Sequence, residues 1–229
     1  MAYTTLGKDT TANFAGMMDG GFGIVTVMNA RVYPALDDYS KETPENIVKE
    51  YGAKEAHADL ICEIDTLKVA NVTQEGPTKT VTGGRYSNPL IKFGKSARLE
   101  MQDALGRGEA IAALCGGLAQ YETKDSSAGF NTISALHFGE DFVGPKMIIG
   151  DTFFIDRRSG QQIKVKIVFY QFLPDSIFNL TQDAEGDATV FDMNGDLLTT
   201  EVQIPDCNGT PTQHGVFYSI VPATVTEEE

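Results

Sequence analysis

The sequence predicts a mainly β protein, a β-sandwich or small barrel flanked by one or two short α-helices. Three features predict it. Apolar and polar residues alternate with a two-residue period from Ile91 to Met101 and again from Ile163 to Phe169, which marks strands with one buried face. Short apolar runs are punctuated throughout by glycine and proline, the residues that end strands and make turns. Only two stretches carry helix signals, and both are short.

The opening residues, about 1–19, are polar and read as an N-terminal arm. Gly20-Gly21-Phe22-Gly23 then leads into Ile24-Val25-Thr26-Val27-Met28, a β-branched strand that ends near Tyr33-Pro34. These glycines are not a dinucleotide fingerprint, because Thr26 stands at the third glycine position and no helix follows. Between Ser40 and Gly52, Thr43 is a cap, Pro44 fits the first helical position and Gly52 is a stop. That predicts a helix of one or two turns burying Ile47, Val48 and Tyr51. Leu60, Cys62 and Ile64 alternate with Ile61, Glu63 and Asp65, and the phase then slips to Leu67 and Val69. A slip of one residue predicts a bulge near Asp65-Thr66. Asn71 to Asn88 is nearly all polar, small or glycine and reads as a long loop (71–88), a length uncommon in a compact domain unless the loop binds something.

In the strand that follows, Ile91, Phe93, Ala97, Leu99 and Met101 form the apolar row. Lys95 interrupts it, with its aliphatic stem expected along the buried face and its ammonium at the edge. Asp103 marks a corner, and Glu109 to Cys115 reads as a helix stopped by Gly116-Gly117. Such a helix is too short to stand alone, so it packs on its own sheet or on a neighbouring subunit. Gly94-Lys95-Ser96 looks like the end of a phosphate-binding loop, but Pro89 occupies the position that needs a glycine. Proline offers no amide, so nucleotide binding is rejected.

After a loop at Asp125 to Gly129, Phe130 to Phe138 reads as a strand. Lys146 to Phe154 and Gln161 to Phe172 form the clearest hairpin, joined through Asp156 to Gly160. Ile163, Val165, Ile167 and Phe169 face one way. Lys164 and Lys166 face the other and give way to Val168, Tyr170 and Phe172, which predicts cover on that second face, another subunit being one candidate. Pro174 ends this strand, Ile177 to Leu180 and Thr189 to Met193 are short strands, and Asn194-Gly195 is a two-residue hairpin turn. Asp192-x-Asn194-x-Asp196 offers alternating oxygen ligands but lacks the glycine and glutamate of a calcium loop. After Val202 the chain is broken by Pro205, Pro211 and Pro222 and ends in three glutamates, an extended C-terminal arm at about 203–229.

With 229 residues and 41% hydrophobic content, the chain can bury one core, and 1–229 is expected to be a single domain. No apolar run is long enough to span a bilayer, and the first residues lack a secretory signal; a cytosol-like compartment is the expectation. Cys62, Cys115 and Cys207 are isolated and odd in number, the first two reading as small buried hydrophobes. His57, His137 and His214 are scattered, so no metal site is expected. There is no nucleophile elbow, zincin pair or histidine cluster, so no enzyme, catalytic residue or cofactor is expected. The net charge of −14 argues against a protein that grips nucleic acid. It suits solubility, or a passage along which DNA slides without sticking.

The Gly-Gly-Arg-Tyr-Ser-Asn-Pro-Leu stretch at 83–90, the run from Lys95 to Gly106 and the Ala-rich helix after it resemble the middle of bacteriophage major tail (tail tube) proteins. The resemblance covers about Leu67 to Leu118 and the hairpins from Lys146 to Leu198. It implies a tail-tube-like β-sandwich whose sheets join between subunits into a ring, usually hexameric, with rings stacked into the conduit for genome ejection. The expected partners are further copies of itself, other phage tail proteins, and viral DNA passing through without tight binding, with no membrane. The expected location is the virion tail, after synthesis in the host cytoplasm. Another virion structural protein, a neck, tail terminator or capsid decoration protein, is the alternative. The candidates for inter-subunit contact are Thr73, Lys79, Arg85 and Tyr86 in the loop, with Ile111 and Leu114 on the helix. Asp183, Glu185, Asp187 and Asp196 are the candidates for the lumen.

Overall fold

A computed structural model describes residues 22–52, 57–65, 67–76, 78–80, 90–92, 94–103, 108–122, 133–140, 142–157, 160, 162–175, 191–206 and 209–223. The fold is mainly β and antiparallel, with two short helices. Its centre is the expected hairpin, β9 (Lys146–Asp156) and β10 (Gln162–Pro174). The Gly160 N–H donates to the Asp156 carbonyl at 2.8 Å, and Gly160 has φ 69°, a conformation glycine adopts freely.

β1 (Phe22–Pro34) pairs with the free edge of β9, and β2 (Cys62–Ile64) lies outside β1. The other edge of β10 is divided between two partners. β14 (Tyr218–Pro222) pairs with Val165 to Phe169, and β11 (Phe191–Leu197) pairs with Phe172 to Pro174. Beyond β11 come β6 (Ser96–Asp103) and β3 (Leu67–Glu75), giving the order β2-β1-β9-β10-β11-β6-β3. β2 and β3 are the two ends of that path, yet three Cα steps, about 11 Å at most, take the chain from one to the other. The sheet therefore curls until its ends approach.

Inside the curl lie Val32, Ile64, Leu99, Met101, Ile148 and Phe172, all essentially without solvent contact. Helix α2 (Gly108–Leu114) packs into this core through Ala110, Ile111, Ala113 and Leu114. It ends as expected, with the Cys115 N–H donating to the Ile111 carbonyl and Gly116 at φ 79°. Helix α1 (Pro44–Tyr51) packs on the opposite face of β9 and β10, where Ile47, Val48 and Tyr51 meet Tyr33, Ile149, Val168 and Tyr170. Thr43 caps it by accepting from the Asn46 N–H at 3.3 Å. Tyrosine hydroxyls tie this layer down, Tyr33 donating to the Tyr51 carbonyl and Tyr39 to the Tyr170 carbonyl, each at 2.6 Å.

The cover on the second face of β10 is thus the chain's own α1, with Val202 and Val221, and not another subunit. A register shift between Phe169 and Phe172 also moves Phe172 from the Tyr170 face to the Phe169 face.

The stretch expected as a loop at 71–88 is strand where it is described, apart from Gly76. β3 runs on to Glu75, and β4 (Thr78–Thr80) pairs with β5 (Leu90–Lys92); residues 81–89 lie outside the described residues. Pairing with β6 satisfies the β3 backbone whatever its side chains are, and a strand exposed over Asn71 to Glu75 carries no alternation to read. The single strand expected across 91–101 is two, β5 and β6, with an exposed Lys95 between them and not along a buried face. Next to the bulge expected near Asp65-Thr66, the register of β3 against β6 shifts between Leu67 and Val69.

Asn194-Gly195 is not a turn but the middle of β11, paired with Glu100 and Leu99 of β6. The glycine is there for closeness: a Cβ on it would run onto the Leu173 carbonyl oxygen and into the Phe172 ring. The C-terminal arm is likewise ordered structure. β12 (Thr200–Pro205) and β13 (Pro211–Val216) form a hairpin and β14 joins the main sheet, so only residues 207, 208 and 224–229 of it lie outside the described residues. Pro205 and Pro211 face each other at the strand ends, where a missing N–H costs little. β7 (Gly117–Tyr121), unforeseen, pairs with β8 (Ile133–Phe138). The N-terminal arm and Ile177 to Leu180 lie outside the described residues.

Candidate assembly surface

Two hairpins stand off the core. The first is an arm that begins as the β3/β6 ladder, from Leu67 opposite Asp103 to Glu75 opposite Ser96, and continues as the β4/β5 ladder. Near its root Ala97 and Leu99 are buried, while Asn71 to Gly76 and Gly94 to Ser96 are exposed. At the root, Arg98 donates to both oxygens of Asp175 and, at 3.1 Å, to Asp196. The hydrogen bond that Arg98 donates to Asp175 holds its guanidinium even more firmly protonated than usual.

The second is the β7/β8 hairpin, which lies against α2. Gly117 fits there because a Cβ would come within 3.2 Å of the Phe138 ring and 3.4 Å of the Ala112 backbone. His137 and Gln120 are hydrogen-bonded side chain to side chain at 3.0 Å on its outer face, beside Leu118. Leu118 is 61% exposed, and Phe142, just past the hairpin, is 87% exposed. Leu118 and Phe142 are the most exposed large apolar side chains among the described residues, and Tyr121 and Phe138 are each about half exposed.

Between α1 and the sheet lies a polar layer. Lys166 on β10 donates to Asp151 on β9 at 2.5 Å, both side chains being nine-tenths or more buried. Burial pushes the Lys166 pKa down, against the pull of Asp151. Arg31 on β1 bridges Glu63 on β2 and donates to the Gly52 carbonyl at the end of α1. This layer ties four strands to α1, and each charge in it has a protein partner. It is structural chemistry.

Compared with known proteins, the chain matches no family model and no curated sequence.

Of the residues expected at subunit contacts, Thr73 is exposed on β3, opposite Arg98. Lys79 lies on β4, and Arg85 and Tyr86 fall outside the described residues. Ile111 and Leu114 are 5% and 2% exposed inside the chain's own core. Their side chains are taken up by the chain's own core. Of the lumen candidates, Asp183, Glu185 and Asp187 lie outside the described residues, and Asp196 is exposed and paired with Arg98. Asp192 accepts from Gln102 at 2.9 Å, so two acids of the calcium-like run face protein donors. Among the described residues no group of His, Cys, Asp or Glu side chains is placed to share a metal ion, and no helix is long and apolar enough to cross a membrane. Cys62 and Cys115 are buried as expected; Cys207 lies outside the described residues.

The exposed apolar group was not foreseen. Leu118 and Tyr121 sit in a strand without alternation, whereas Phe142 carried a signal, a large apolar residue between Gly139 and Gly144.

Proposed function

We propose that the protein is a structural virion subunit that self-assembles into stacked rings forming a bacteriophage tail tube, the conduit for genome ejection. The observation that carries this reading is surface that a lone monomer does not need. The core is closed by the chain's own helices, and yet a hairpin arm and the large apolar side chains of Leu118 and Phe142 are left mostly in water. A closed core with unspent apolar surface suits a subunit that buries that surface against its neighbours. The resemblance of residues 67–118 and 146–198 to tail tube proteins supplies the particular assembly. In this reading the chain performs no catalysis and holds no cofactor.

Electron microscopy of the purified protein tests it. A tube subunit forms long rods of constant width with a central channel. Single rings that do not stack would favour a neck or terminator protein, and a protein that stays monomeric at high concentration would overturn the reading.

A further inference from the structure

The charges of the chain are segregated. Between residues 67 and 103 stand six basic residues, Lys68, Lys79, Arg85, Lys92, Lys95 and Arg98, against three acids, Glu75, Glu100 and Asp103. After Lys166 there is no Lys or Arg at all, and that C-terminal part holds eleven acids. The structure gives the division a shape. Lys68, Lys79, Lys92 and Arg98 lie on the arm's strands β3, β4, β5 and β6 and Lys95 lies between β5 and β6, while the described acids of the C-terminal part lie on β11, β12 and the turns beside them. Where the two meet within one chain they pair: Arg98 at the arm's root bonds Asp175 and Asp196. Farther out, Lys95 is exposed, and on the acidic side Glu201 of β12 is exposed.

We infer that the basic arm of one copy docks on the acidic C-terminal part of another copy, and that charge complementarity sets the direction of assembly. This rests on the reading that the chain self-assembles, and it names the surface and the partner. A second copy is the occupant the charges favour. A duplex of nucleic acid would also attract the arm, but the body carrying that arm is strongly acidic and would repel it. Opposite charges on one chain satisfy each other head to tail, and like charges disfavour arm-to-arm and body-to-body contacts. Head-to-tail contacts propagate, as a stack of rings requires.

The test follows assembly of the full-length protein by light scattering and sedimentation, with electron microscopy of the products. Screening shortens the reach of charge from about 30 Å at 0.01 M salt to about 3 Å at 1 M, so the assembly rate should fall at least about tenfold across that range. Replacing Lys79→Glu with Lys95→Glu should abolish assembly at low salt, and Lys79→Gln with Lys95→Gln should slow it, with unchanged circular dichroism and melting temperature. Adding Glu201→Lys to an otherwise native chain should also slow assembly. Assembly indifferent to salt and to the arm variants overturns the inference and leaves the tube reading standing. Salt-sensitive dimers or rings that the arm variants abolish, with no rods, support the inference and overturn the tube reading. If the arm variants assemble normally but lose binding to a labelled DNA duplex that the native chain binds, the arm is a nucleic-acid contact and the inference is wrong.

Discussion

Gly195 of β11 lies so close to Phe172 of β10 that a Cβ added to the glycine would come within 2.7 Å of the phenylalanine ring. Phe172 is fully buried and borders the Leu173 carbonyl, which crowds the same spot. Neither neighbour can retreat, because β11 is held between β10 and β6. Gly195→Ala should therefore destabilise the fold by about 3 kcal/mol, the upper range for overpacking. Chemical denaturation of the purified variant measures it. A change under 1 kcal/mol would mean that β11 can shift away.

The same glycine shows where the sequence misleads. Asn-Gly favours a two-residue turn because both residues accept positive φ, but glycine also serves where backbones pass closely, and the two uses look alike in sequence. Other features were legible because their physics is local. Thr43, Pro44 and Gly52 bound α1, Gly116 stops α2, and alternation marks β10. What stayed hidden depends on distant partners. β3 is strand because β6 lies beside it, and β14 because β10 does. The sequence left open whether Ile111 and Leu114 meet their own sheet or a neighbouring subunit, because a side chain buried in a core and one buried in an interface have the same composition. Leu118 went unremarked because an exposed leucine has no sequence signature at all.

Lys166 and Asp151 should be costly to break and cheap to replace together. Asp151→Ala leaves a buried ammonium without its carboxylate and should cost about 3–5 kcal/mol, whereas Lys166→Met with Asp151→Leu should be close to neutral or stabilising. A double-mutant cycle by urea unfolding separates the two. If the single variant costs no more than the double, water reaches the pair and the layer under α1 is looser than the burial of these side chains indicates.

Alkaline pH should weaken the fold in a defined window. Burial pushes Tyr39 and Tyr170 up to about 12 from an ordinary value of 10.0, and Cys115 up to about 11 from 9.0. The unfolded chain gives up these protons first, so the folded state binds more of them, and stability falls as pH rises. The contribution is fully present below pH 9 for the thiol and pH 10 for the tyrosines, and is lost as pH passes about 11 and about 12. At about 1.4 kcal/mol per unit, each tyrosine accounts for up to about 3 kcal/mol. Lys166 acts with the opposite sign, because its lowered pKa makes the unfolded chain the stronger proton binder below 10.5. Of the eight tyrosines, two should ionise only as the circular dichroism signal is lost. Free titration of all eight in folded protein would contradict this.

Leu114→Ala should cost about 2–5 kcal/mol as a cavity in the core beneath α2, and Leu114→Asp should prevent folding by burying a carboxylate without a partner. Leu114 is 2% exposed, so both effects should appear in dilute protein that has not assembled. An effect seen only on assembly would return this residue to a subunit interface.

Leu118 and Phe142 should behave in the opposite way. Each is mostly in water, so replacing it with serine removes little buried area, and surface changes of this kind stay within about 0.5 kcal/mol. The melting temperature of Leu118→Ser with Phe142→Ser should therefore match that of the native chain at low concentration. Fully burying one such side chain against a neighbour contributes about 1.5–3 kcal/mol, so losing two from every contact should raise the concentration needed for assembly by at least about a hundredfold. The comparison with Leu114 gives the test its force. One apolar residue should govern folding and leave no separate mark on assembly, while two others govern assembly and leave folding untouched. Sedimentation across a concentration series reads the second effect. A doubly substituted protein that assembles at the native concentration would show that the apolar hairpin faces water in the assembled state as well, and that the subunits meet elsewhere.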